Sequence, residues 1–213
     1  NGIPFFIGED VLKNKKLKPE QTQSWEFGTE IRLWNGRVNT DITYYNKNTK
    51  NQIVEADAIS ASGYRREILN AGEIHNEGIE VSLTVNPVKT KLFNWNTTFN
   101  WAKNRSKVVS LVEGISRYEM ASADNIKLYA EVGKPYGVFY GNDYRRNSDG
   151  AIYVGTDGKP KFLPDQYLGS IQPDWFGGWQ NSFRVGPVDL GFMIDFQSGG
   201  KVWSYTAFRG GID

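Results

Sequence analysis

The sequence predicts an all-β fold of antiparallel strands and hairpins. Two architectures suit it: part of a transmembrane β-barrel with long extracellular loops, or a soluble two-sheet sandwich. Three observations carry this reading. Apolar and polar residues alternate with period two over long segments; those segments reverse at short connections rich in Asn, Gly and Pro; and the intervening connections are long and polar. Aromatics supply 14% of the 213 residues, which excludes a disordered tail. No apolar run approaches the ~18 residues of a membrane helix.

The first hairpin runs from Ser24 to Asn46. Trp25, Phe27, Thr29, Ile31 and Leu33 share one parity, and Glu26, Gly28, Glu30 and Arg32 the other. Side chains alternate faces along a strand, so one face is apolar and one polar. Asn35-Gly36 suits a type I′ turn, which needs φ > 0 at both central residues. On the return strand Val38, Thr40, Ile42 and Tyr44 alternate with Arg37, Asn39, Asp41, Thr43 and Tyr45. A two-residue turn pairs Leu33 with Val38 and Phe27 with Tyr44, so both apolar sets share a face; a one-residue slip would separate them.

The second hairpin sets Ile79, Val81, Leu83 and Val85 against Phe93, Trp95, Thr97, Phe99 and Trp101. Its connection is read as residues 86–91, because Pro87 suits a turn better than a strand centre. In the third, Trp175, Gly177, Trp179, Asn181, Phe183 and Val185 precede Gly186-Pro187, and Val188, Leu190, Phe192, Ile194 and Phe196 follow. Phe183 then opposes Leu190, and Trp179 opposes Ile194.

Residues from Lys47 to about Leu69 and from Ala102 to about Pro173 read as long polar loops, partly extending the neighbouring strands. Compact domains seldom hold structureless connections this long, whereas short turns on one side and long loops on the other describe an outer-membrane barrel. Trp25, Tyr44, Trp101 and Trp175 are read as lying near strand ends, where amphipathic rings form a membrane-interface girdle. The lipid-facing set is then Trp25, Phe27, Ile31, Leu33, Val38, Ile42, Tyr44, Ile79, Val81, Leu83, Phe93, Trp95, Phe99, Trp101, Trp179, Phe183, Leu190, Phe192, Ile194 and Phe196. The opposite parity, with Glu26, Glu30, Arg32, Arg37, Asp41, Asp189 and Asp195, suits a water-filled lumen or the solvated outside of a sandwich.

The chemistry is sparse. Twenty-five basic and 24 acidic residues leave a formal charge of +1, unlike a dedicated nucleic-acid binder. With no cysteine and one histidine, His75, thiolate and multi-histidine metal sites have no ligands. No cofactor and no catalytic constellation is expected; Glu26 and Glu30 read as hydrated wall carboxylates. Tyr64-Arg65-Arg66 and Tyr144-Arg145-Arg146 each set an aromatic beside two guanidinium groups. These loops are the candidate substrate contacts, by stacking on sugars or pairing with carboxylates.

Several strings carry a resemblance. Leu17-Lys18-Pro19-Glu20-Gln21-Thr22 before Ser24-Trp25-Glu26-Phe27-Gly28, and Asp41-Ile42-Thr43-Tyr44-Tyr45-Asn46 through Gln52-Ile53, resemble barrel strands of TonB-dependent outer-membrane transporters. Asn70-Ala71-Gly72-Glu73-Ile74-His75-Asn76-Glu77-Gly78-Ile79-Glu80 is similar to the "NAGEIRNKGIE" string of the SusC/RagA branch, with His75 where a basic residue is more usual. Gly133-Lys134-Pro135 with Val138-Phe139-Tyr140-Gly141, then Pro173-Asp174-Trp175-Phe176-Gly177-Gly178 and Phe196-Gln197-Ser198-Gly199-Gly200-Lys201, continue the match in family order. The family's aspartate-rich loop is reduced to Asp149-Gly150 and Asp157-Gly158, fewer oxygen ligands than a calcium loop needs.

The resemblance implies that residues 1–213 are an incomplete segment of a barrel domain in the cell outer membrane of a Gram-negative bacterium. The signal peptide, TonB box, plug and first strands would lie outside it; residues 1–4 have no signal-peptide character. It further implies a non-enzymatic importer of a bulky nutrient such as a glycan or peptide. Its partners would be outer-membrane lipid, a SusD-like lipoprotein lid and the TonB system acting through the plug, with no nucleic acid.

Overall fold

The computed structural model describes residues 11–57, 63–70, 72–112 and 114–210; residues 1–4, Ala71 and the terminal Asp213, on which parts of the sequence reading rest, lie outside them. The strands are β1 (Val11–Leu12), β2 (Gln21–Leu33), β3 (Val38–Lys50), β4 (Ile53–Asp57), β5 (Arg66–Asn70), β6 (Glu73–Lys89), β7 (Phe93–Ser110), β8 (Arg117–Ala123), β9 (Ile126–Glu131), β10 (Val138–Tyr144), β11 (Phe162–Ser170), β12 (Pro173–Val185) and β13 (Val188–Gly199), followed by a short helix α1 (Tyr205–Gly210).

The alternating segments form one antiparallel layer ordered β2-β3-β6-β7-β12-β13. Leu33 pairs with Val38, Phe27 with Tyr44, Phe183 with Leu190 and Trp179 with Ile194, as the alternation requires. At the first turn Asn35 and Gly36 both have positive φ, and the Arg37 N–H donates to the Trp34 carbonyl at 3.2 Å. Single rows of paired residues cross the whole layer, one of them Ile31–Thr40–Leu83–Phe99–Trp179–Ile194. The expected apolar set therefore occupies one continuous face.

That face is bare. Phe27 is 66% exposed, Leu190 60% and Ile194 49%, values foreign to residues packed between two stacked sheets. From Trp25 to Leu33 the band rises ~21 Å along a membrane normal, for strands tilted at about 40°. Its aromatics are layered: Trp95 stacks on Phe183 at 5.8 Å and Phe99 on Phe196 at 5.6 Å. The Trp95 indole N–H donates to Asn181 Oδ1 at 3.1 Å, and that of Trp179 to Thr97 Oγ1 at 2.8 Å. Such partners matter where no water reaches.

Three sequence expectations are corrected. The second connection is shorter than residues 86–91: β6 continues to Lys89 and Val88 pairs with Trp95. Pro87 sits in the register shift after Val85, where a bulge leaves a backbone position without a ladder partner and a missing N–H costs little. The girdle aromatics are not all at strand ends. β3 runs on from Tyr44 to Lys50 and β7 from Trp101 to Ser110, so these rings mark the rim of the apolar band while the strands continue past it. Finally, the stretch from Ala102 to Pro173 is largely structured. It carries the end of β7 and a second sheet ordered β11-β10-β9-β8, whose strands are too short for their alternation to stand out.

The resemblance strings act as anchors. Asn70 accepts a hydrogen bond from the Lys18 N–H and donates to the Lys18 and Asn51 carbonyls, each at 2.8 Å. It thereby clamps the "LKPE" entry onto a small sheet ordered β1-β5-β4. Gly78 lies opposite Tyr45, whose phenol covers it and donates to Asn104 Oδ1 at 3.1 Å. A Cβ at Gly78 would lie 2.5 Å from the Tyr45 Cζ and 2.7 Å from the Lys103 carbonyl, so only glycine fits.

Candidate functional site

Two surfaces concentrate polar chemistry: the face opposite the apolar band, and the long-loop end of the layer. On the first, Glu30 receives a hydrogen bond from Arg32 at 2.6 Å, and Arg184 holds Asp189 through two nitrogens at 2.7 and 3.3 Å. Between them lies a cleft of about 440 Å³ whose lining includes Asp41, Glu80, Asp195, Asn100 and Phe176. These carboxylates project from the same parity as Glu26, and they make this wall acidic.

At the long-loop end, the glycine-rich turn before β10 is bolted to β7. The Val108 N–H donates to the Lys134 carbonyl at 3.0 Å and the Gly133 N–H to the Val108 carbonyl at 2.8 Å. The Ser106 hydroxyl donates to Gln172 Oε1 at 2.8 Å and accepts from the Tyr136 N–H at 2.9 Å; Gln172 Nε2 returns a bond to the Tyr136 carbonyl at 3.1 Å. Gly137 has φ +85°, and its missing side chain leaves room for Ile171.

The second sheet has a small polar-aromatic core around Tyr129, Val138 and Tyr140. The Arg117 guanidinium lies 4.4 Å from the Tyr129 ring centroid and 4.7 Å from that of Tyr140, and it pairs with Asp165 at 2.9 Å. Burial, together with the hydrogen bond to Glu131 and its negative charge, pushes the Tyr140 phenol up to about 12. Lys127, hydrogen-bonded to Glu119, holds that carboxyl below its usual range.

The two loop trios nominated from sequence are not brought together in one site. Tyr64, Arg65 and Arg66 lead into β5 on the three-stranded sheet, while Tyr144 ends β10 on the four-stranded one. Tyr144 packs on Phe162 at 4.9 Å, Arg145 covers the Tyr153 ring at 4.7 Å, and Arg146 donates to the Gly150 carbonyl at 3.0 Å. The second trio thus braces its own hairpin. Asp149 and Asp157 serve turns there, accepting from the Ala151 and Lys159 N–H groups. His75 lies 3.9 Å from Glu77.

Sequence reasoning missed a basic cleft at this end. It encloses about 960 Å³ between the upper part of β7, the turn at residues 133–135 and the start of β12. Lys103, Arg105, Lys107, Lys134 and Lys201 line it, against the carboxylates Glu77 and Asp174. Among the described residues none of these five cations forms an ion pair. The signal was available: Lys103, Arg105 and Lys107 continue the parity of Phe99 and Trp101, so an apolar run turns basic without changing face.

A family described as "TonB dependent receptor-like, beta-barrel" matches residues 4–207. TonB-dependent receptor P3 of Formosa agariphila is 24% identical over 91% of this chain and 22% of its own length; TonB-dependent receptor SusC of Bacteroides thetaiotaomicron is 28% identical over 53% and 12%. Among solved structures, the RagAB peptide importer in its open-open state superposes with a TM-score of 0.69 at 21% identity, over 88% of this chain and 21% of that one. The chain therefore spans about a fifth of the length of its relatives.

Proposed function

From the premise that the chain belongs to the TonB dependent receptor-like, beta-barrel family, we propose that it forms a wall segment, with its extracellular loops, of a SusC/RagA-type outer-membrane importer. The observation that carries this is the single-layer sheet with one uncovered apolar face, close in height to the ~25 Å apolar band of outer-membrane barrels, and one polar, acid-lined face. In this reading the apolar parity meets lipid and the polar parity borders the transport lumen. β2 and β13, the layer's two edges, continue into further strands of the parent barrel.

The cargo is a bulky nutrient. A peptide is supported by the likeness to the RagAB peptide importer, and a glycan by the long polar loops with Tyr64-Arg65-Arg66 and Tyr144-Arg145-Arg146 as candidate contacts. A SusD-like lipoprotein lid outside and TonB coupling through a plug complete the proposed machine. No residue of this segment is assigned a catalytic step.

The test is uptake by cells carrying the parent transporter, offered a fluorescent oligopeptide or a labelled oligosaccharide. Import of one of them should vanish on deletion of the transporter or collapse of the proton gradient. Accumulation of both, unchanged by either treatment, overturns the proposal.

A further inference from the structure

The large basic cleft lies at the rim of the layer and is lined from both faces: Asn104, Ser106 and Asp174 belong to the polar parity, whereas its three β7 cations belong to the apolar one. Lys103 pairs with Ile79, Arg105 with Glu77 and Lys107 with His75, and all three continue the parity of Trp101, the outer rim of the apolar band. A smaller cleft of about 310 Å³ lined by Tyr44, Ile79, Lys103 and Arg105 joins the two regions. At about 2.6 Å of height per residue for a strand tilted by ~40°, Lys103 stands ~5 Å and Arg105 ~10 Å above the Trp101 level. Bilayer headgroups occupy that layer, since the ~30 Å hydrocarbon core lies within ~40–45 Å overall. Short turns lie at the other end, which puts the cleft on the extracellular side.

We infer that this cleft holds the phosphorylated headgroup of an outer-leaflet lipid, with Lys103, Arg105 and Lys107 supplying charge from β7 and Lys134 and Lys201 closing over it. Five cations against two carboxylates, none of the cations ion-paired among the described residues, match a multiply charged anion. Acyl chains of the same lipid would run down the aromatic face directly beneath. Lumenal cargo would instead meet the acidic wall, so the two surfaces differ in sign, and the β7 cations project away from that wall. The inference rests on the barrel orientation proposed above.

The test uses the full-length parent transporter in phosphatidylcholine nanodiscs doped with diphosphorylated lipid A. Retained lipid is measured by native mass spectrometry for the wild type and for a Lys103→Gln/Arg105→Gln/Lys107→Gln variant. Loss of three charges near a surface should weaken retention on the order of 100-fold at low salt, and dephosphorylated lipid should not be held. Lys134→Gln/Lys201→Gln, which leaves the strands untouched, should weaken it in the same direction if the triple variant does not fold. Equal retention by the variants overturns the inference, as does displacement by inorganic phosphate or by the transported peptide. A wild-type barrel that inserts and imports yet holds no lipid A overturns this inference alone; a parent protein that never inserts overturns the function beneath it.

Discussion

Leu83 and Ser82 are adjacent on β6 yet lie on opposite faces, which makes them a stringent pair of positions. Leu83 sits mid-band between Thr40 and Phe99, and Ser82 sits between Asp41 and Asn100. A lysine at Leu83 would place a charge near the bilayer midplane at a cost of about 2–4 kcal/mol, or roughly a 30- to 700-fold shift in the folding equilibrium. A lysine at Ser82 would enter a hydrated wall within reach of the Asp41 carboxylate, at a cost of about 0.5 kcal/mol or less. The assay is reversible urea unfolding of the parent barrel in lipid vesicles, with heat-modifiable migration of outer-membrane fractions as a cellular check. Leu83→Lys should lose folded barrel and Ser82→Lys should keep it. The reverse order would mean that the faces are swapped, and equal effects would mean that neither face meets lipid.

Ile31→Lys and Ile194→Lys, at the two ends of the row that carries Leu83, should also impair assembly, measured by the same migration; normal insertion of Ile31→Lys would count against the orientation. Gly78→Ala should destabilise by roughly 1–3 kcal/mol through overpacking against Tyr45 and the Lys103 carbonyl; a Tyr45→Ser background should recover part of this in urea titrations, and full additivity would count against the contact. Asn70→Ala removes all three side-chain bonds that hold Lys18 and Asn51, so amide exchange across β5 and the entry to β2 should accelerate. Tyr140, with its phenol raised from 10.0 to about 12, contributes stability that is intact below pH 10 and lost as pH rises through 12, because the folded state then holds a proton the unfolded state has released. Phenolate absorbance should show a late-titrating component that shrinks by one tyrosine's share in Tyr140→Phe.

The three hairpins and their registers were legible because a buried or lipid-bound face punishes any slip. Pairs such as Leu33–Val38 and Trp179–Ile194 are the only alignment that keeps both apolar sets together. Pro87 misled because the absence of an N–H predicts a turn equally well as a bulge. The loop sheet was hidden for a different reason: its stability comes from contacts such as Arg117 over Tyr129 and Tyr140, and Ser106 with Gln172, which no local period announces. The loop trios showed the limit of composition. Arg145 and Arg146 also brace Tyr153 and the Gly150 carbonyl, whereas Lys103, Arg105 and Lys107, which form no ion pair among the described residues, stand in plain alternation after Trp101.

Within the main layer, neighbours in space are also neighbours along the chain, from β2 through β3, β6, β7 and β12 to β13. Such a wall can be knitted strand by strand, each newly made pair templated by the free rim of the last, with loop-closure entropy smallest at the three short turns and larger across the β3–β6 and β7–β12 connections. An insertion machine would need to guard only the moving margin, and the order of synthesis would itself be the order of construction.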